Sequence, residues 1–167
     1  MKANAKKETI YANIIMLAVF FFAFLGTEYL FDNCMMYVTD ASGVVRAQNQ
    51  MLGVSAIGFL LYNWISGFLA DKSPWVTGGT GLLAFGVGAG CMGCIILHAG
   101  YVQMMIAGGV LFFLLGVLGA GVHYRMAYSV YDRAMLARCV GFAYAGGIFL
   151  QFLNNNMIHE NHTQAVA

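Results

Sequence analysis

Five stretches of this chain run for about twenty residues with almost no charge, and nothing else constrains its fold as strongly. They cover roughly residues 11–31, 51–70, 76–97, 102–124 and 136–153, and only Glu28 and Arg138 are charged within them. About twenty mostly apolar residues span the ~30 Å hydrocarbon core of a bilayer as a helix. Inside that core every backbone N–H and C=O must find its partner within the protein, so each stretch is expected to be helical. Barrel strands would alternate apolar and polar residues over about ten positions, and these stretches do not. The expectation is an all-α membrane protein, a bundle of about five transmembrane helices forming a single helical membrane domain over residues 1–167.

Composition supports this. Charged residues make up 9% of the 167 residues and hydrophobic ones 60%, against about 25% and 45–50% in soluble domains. So few charges cannot cover a water-facing surface. The lipid bilayer is therefore the first expected partner. A net charge of +1 without a dense Lys/Arg cluster argues against nucleic acid as another. The basic start "MKANAKKE" and its apolar run are longer than a secretory leader and lack a small-residue cleavage site, so they read as a retained first span.

Loop charges give an orientation. Lys2, Lys6, Lys7, Lys72, Arg125, Arg133 and Arg138 fall on one side of the five spans and only Arg46 on the other. Basic residues collect on the cytoplasmic side. The expected placement is a multi-pass protein of the cytoplasmic (inner) membrane, with the N-terminus inside and residues 154–167 as an extracytoplasmic tail. Asn161-His-Thr163 in that tail matches the glycosylation acceptor pattern, which is common by chance.

Two motifs in "AFGVGAGCMGC" invite chemistry. Gly88, Gly90 and Gly93 fit G-x-G-x-x-G, but the dinucleotide fingerprint needs a strand before it and a helix start within it, and here the glycines are in mid-helix. Cys91 and Cys94 fit C-x-x-C, but zinc needs four ligands, and Cys34 and Cys139 are in other segments. A packing role fits better. Gly79, Gly86, Gly90 and Gly93 recur along one helical face, and small residues let membrane helices approach closely. Gly109, Gly116 and Gly119 on the fourth span, and Gly141, Ala145 and Gly146 on the fifth, offer similar positions.

Polar residues at membrane depth are the functional candidates, because an ionised carboxylate at the bilayer centre costs about 2.5–3.5 kcal/mol on insertion scales. Glu28 and Asp32 are four residues apart on one face of the first span. Glu28 lies about 26 Å along the axis from Tyr11, so the pair either reaches the outer water or forms part of a proton- or cation-coupled substrate site. Asn63 and Gln151 either hydrogen-bond a neighbouring helix or line a cavity. His98 and His123 read as interfacial. No grouping of nucleophile, base or metal ligands appears, so neither an enzyme nor a cofactor is expected.

The turn "ISGFLADKSPWV" joins the second and third spans. Its Gly67, Leu69, Ala70, Asp71 and Lys72 resemble the opening of the cytoplasmic loop motif of the major facilitator superfamily, G-x-L-A-D-[RK]-x-G-[RK]-[RK], at the place that family puts it. The basic residues leading into the glycine-rich fifth span are similar to its fourth loop. Pro74, Trp75 and Val76 stand where the family has Gly and two basic residues. The resemblance implies alternating-access transport of a small solute, with Asp71 and Gly67 in the cytoplasmic gate. It also implies a fold of two six-helix halves, each a three-plus-three repeat. Three plus two spans here suggest a partial or truncated half, not competent alone, that meets a second membrane half or self-associates. Other expected roles are a major-facilitator-like sensor or anchor region of a regulator, and a small membrane interaction protein.

Overall fold

The computed structural model describes residues 2–70, 72–130 and 132–157, with side chains described except at 2–8 and 74–77. The protein is all-α. Five helices follow one another: α1 (Lys2–Met35), α2 (Ala41–Ala70), α3 (Pro74–Ile96), α4 (Tyr101–Ser129) and α5 (Arg133–Met157). Each contains a stretch long and apolar enough to cross a membrane, and no strand occurs among the described residues. This is a multi-pass helical membrane protein.

The helices run past the apolar windows where polar residues stabilise their ends. α2 begins ten residues before the window at 51–70 because Asp40 caps it. The Asp40 carboxylate accepts from the Gly43 N–H and from the Ser42 hydroxyl, both at 2.9 Å, while its carbonyl accepts from the Val44 N–H at 3.0 Å. An acidic cap satisfies an orphan N–H and sits well against the positive end of the helix dipole. Asp132 does the same for α5, accepting from the Ala134 N–H at 2.9 Å. At its other end, α5 takes in residues 154–157, which composition alone assigns to the tail; residues 158–167, with Asn161 and Thr163, lie outside the described set.

α3 starts by a different device. Ser73 is extended and Pro74 occupies the first helical turn, where a missing N–H removes no helical bond and φ is already set. Its far end closes in a tight turn. Leu97, His98 and Ala99 donate N–H groups back to Gly93, Ile95 and Cys94, and His98 and Gly100 take positive φ values of 50° and 115°. Glycine alone enters that region freely.

The chain forms two compact units. The first comprises residues 1–30 and 119–167, and the second residues 31–118. In the first, α1 and α5 run parallel, with Phe21 stacked on Tyr144 at 4.0 Å and Gly26 beside Gln151. α1 and α4 run antiparallel, with Asn13 bonded to Ser129 and Phe20 against Gly119. The buried stripe of α5 is Cys139, Ala143, Gly147 and Gln151, four residues apart throughout, as one helix face requires.

In the second unit α2 and α4 touch backbone to backbone. A Cβ on Gly58 would collide with the Phe113 carbonyl, and one on Gly116 with the Ser55 carbonyl. Beside this crossing Phe31 meets Phe112 edge to face at 5.8 Å, and Gly108 lets Phe31 and Met51 close over it. Lipid tails are as apolar as leucine, so association depends on such close van der Waals contact rather than on hydrophobic burial.

The glycine face expected on α3 does not pack within the chain. A Cβ on Gly79, Gly86, Gly90 or Gly93 would meet no atom within 4 Å among the described residues, and the same holds for Gly109 and Gly141. The tight positions are instead Gly58, Gly108, Gly116, Gly119 and Gly147, of which spacing alone indicated Gly116 and Gly119. Helical periodicity finds a face of small residues but does not say whether a neighbouring helix stands against it.

Candidate functional site

Three hydrogen-bonded polar clusters cross the first unit at successive heights. At the end where α4 gives way to α5, the Asn13 amide donates to the Ser129 hydroxyl at 2.8 Å. Ser129 itself donates to the Met126 carbonyl at 3.0 Å. Both side chains are half-buried.

Higher up, His123 of α4 meets Tyr144 of α5. The ring Nε2 lies 2.6 Å from the Tyr144 hydroxyl, and Nδ1 lies 2.7 Å from the Gly119 carbonyl. A carbonyl oxygen only accepts, so Nδ1 carries a proton, and in the neutral ring Nε2 accepts from the tyrosine O–H. Phe20 of α1 lies edge-on to the imidazole at 6.3 Å, and Phe21 stacks on Tyr144. The sequence reading puts His123 at a helix end. The structure instead places it six residues inside α4, and Tyr144 eleven residues into α5, about 17 Å along its axis.

The third cluster is built around Gln151, which is 7% exposed. Its amide nitrogen donates to the Asn155 side chain at 2.9 Å, one turn along the same helix. Its carbonyl oxygen Oε1 is buried with no hydrogen-bond partner among the described residues. Gly26 of α1 faces that oxygen; a Cβ there would stand 3.3 Å away. Thr27, 8% exposed, is buried in the same unit. A buried polar atom left without a partner costs about 1–3 kcal/mol, so this oxygen is suited to receive a donor from a small polar guest.

The other candidates fall elsewhere. Glu28 is half-buried in the first unit and Asp32 half-buried in the second. Asn63 is exposed on α2, and only its main-chain carbonyl is engaged, by the Ser66 hydroxyl at 3.2 Å. It is not among the residues that line the apolar groove of the second unit. In the turn after α2, Gly67 is exposed with open space beside it, and Leu69 is half-buried. Ala70 ends the helix, and the Leu69 carbonyl accepts from the Lys72 N–H at 3.1 Å. The Lys72 ammonium lies 4.9 Å above the Phe68 ring, a cation–π contact. Asp71 lies outside the described residues.

The second unit offers a contrasting cavity, a groove of about 490 Å³ lined by Val54, Leu83, Val87, Val110 and Phe113. Its lining carries no polar surface, so it has nothing to hold a polar solute. Among the described residues no three His, Cys, Asp or Glu side chains come together as a metal site, and Cys34, Cys91, Cys94 and Cys139 are free thiols.

Sequence reasoning singled out Gln151 but missed His123, Tyr144, Asn13 and Ser129. One signal was available: Tyr144, Gln151 and Asn155 follow at spacings of seven and four, which puts three polar groups on one side of α5. Comparison with known proteins adds no relative: no family model, no curated protein and no solved structure matches the chain.

Proposed function

We propose that this chain takes part in moving a small polar solute across the cytoplasmic membrane, and that the polar clusters of the first unit form its path. The observation that supports this is the buried, unsatisfied Gln151 carbonyl at the top of a polar series that continues through His123–Tyr144 to Asn13–Ser129. Polar groups inside spans are expensive and mark solute or ion pathways. The excess of Lys and Arg on one set of loops supports a cytoplasmic N-terminus. Kinship with the major facilitator superfamily rests on Gly67, Leu69, Ala70, Asp71 and Lys72 alone, and would supply alternating access together with further helices.

Flux through proteoliposomes containing the purified chain tests this reading. Small polar solutes are expected to enter faster than in empty vesicles, and Gln151→Leu is expected to cut the rate about tenfold, equivalent to ~1.4 kcal/mol on the barrier. Gly90→Leu, on the open face of α3, leaves it unchanged. No flux from correctly inserted protein, alone or coexpressed with its genomic neighbours, removes the transport reading.

A second reading, a small membrane interaction protein, has its own support in the open glycines of α3. Crosslinking through a cysteine at Gly86 in membranes tests it. A strictly monomeric pattern counts against it.

A further inference from the structure

We propose that His123 is a reversible proton-binding site within the membrane, with Tyr144 as the group that accommodates both of its charge states. This deepens the transport reading by naming the proton as the coupled ion, and rests on that reading only for its use. The site itself stands on geometry. Nδ1 is committed to the Gly119 carbonyl, 2.7 Å away and on the same helix, so the ring is held in one tautomer and Nε2 alone is open to protonation. The partner of Nε2 is a hydroxyl at 2.6 Å, which donates or accepts by turning its O–H. A carbonyl there would force a charged ring, and an ammonium or amide N–H would forbid one. The hydroxyl permits both.

The step balances simply. A proton arriving from water or solute forms the Nε2–H bond and leaves an imidazolium of charge +1. The tyrosine O–H turns away, and its oxygen accepts from Nε2–H. Release reverses each change, and Tyr144 keeps its own proton throughout. Groups that face the ring include Phe20 on α1, Tyr144 on α5 and, on α4 itself, the Gly119 carbonyl. Tyr124 and Arg125 follow on α4 and are exposed. His123 and Tyr144 are both half-buried, so the tyrosine oxygen shares the solvation of the charge with any water that reaches the ring.

Ring-nitrogen NMR of the full chain in bilayers tests this. The chain has four histidines, and replacing His98 by Asn and His159 and His162 by Gln leaves His123 as the one signal. On lowering pH from 9 to 5, Nε2 is expected to change reversibly from a bare to a protonated nitrogen, while Nδ1 stays protonated throughout. Tyr144→Phe removes an oxygen that binds the charged ring more strongly than the neutral one. It is expected to remove the bond to Nε2 and so to move the Nε2 resonance of the neutral ring at pH 9. A ring that stays neutral until helicity is lost overturns the proposal, as does an Nε2 resonance that Tyr144→Phe leaves in place. The two readings fail separately: a titrating ring without flux removes transport alone, and flux past a fixed neutral ring removes the proton site alone.

Discussion

The two units of this molecule both bring helices together at glycines, Gly119 and Gly147 in the first and Gly58 and Gly116 in the second, but they differ in what surrounds those contacts. In residues 31–118, helices meet through glycine and aromatic surface: Gly58 and Gly116 bring backbones into contact, and Phe31 closes on Phe112 and Gly108. In residues 1–30 and 119–167, side-chain hydrogen bonds join Asn13 to Ser129 and His123 to Tyr144, and Gln151 is buried with an acceptor to spare. Steric fit suffices where helices only need to stay together. Polar groups in hydrocarbon hold helices no better, averaging about 0.6 kcal/mol per interhelical bond. The second unit also carries buried or half-buried polar side chains, Ser55 and Asp32 among them, so the contrast is one of degree. It is the first unit whose described bonds join helices, through Asn13–Ser129 and His123–Tyr144.

The contrast can be broken by mutation, and the largest effect is expected in the apolar unit. Gly116→Leu drives a side chain into the Ser55 carbonyl and should destabilise the protein by about 3 kcal/mol or more, read by unfolding in mixed micelles. Gly90→Leu should change it by less than about 0.5 kcal/mol. Equal effects of the two would erase the distinction between closed and open glycines.

Next in size is Gln151→Leu. It removes a buried oxygen that has no partner among the described residues and should stabilise the fold by about 1 kcal/mol in the same assay while lowering flux. Loss of stability instead would mean that the oxygen is satisfied, and that the polar unit is built for strength after all. Tyr144→Phe should cost about 0.6 kcal/mol, the ordinary worth of an interhelical bond.

The smallest effect concerns the water-exposed cap of α2. The Ser42 hydroxyl and the Gly43 N–H hold the Asp40 carboxyl below the usual carboxylate range. A carboxyl lowered on folding stabilises above its unfolded pKa, and that contribution fades as pH falls through the folded value. Protection of the amides in the first turn of α2, measured against their intrinsic exchange rate at each pH, should fall at acid pH, and Asp40→Asn should flatten that dependence.

Much of this was legible in the sequence. Five apolar windows fix five helices because hydrocarbon leaves the backbone no alternative. Their ends were less legible: residues 41–50 look like a loop until Asp40 is recognised as a cap. The site was legible only in part. Gln151 announces itself as an amide in an apolar run, but the pairing of His123 with Tyr144 joins residues twenty-one positions apart on different helices, and no local pattern encodes that. The α3 glycines show the same limit, since their spacing is helical whether or not a neighbour faces them.

The central expectation of the transport reading is that water-borne groups reach the polar clusters of the first unit and not the apolar helix contacts of the second. Single cysteines at Asn13, Tyr144 and Gln151, and at Val54 and Leu111, introduced into a cysteine-free chain in sealed vesicles, test it with a small impermeant thiol reagent that reacts only with thiolate. The three positions of the first unit should react, Asn13 fastest from one side and Gln151 fastest from the other, while Val54 and Leu111 stay unmodified. Equal silence at all five, with the protein folded and inserted, would contradict the account.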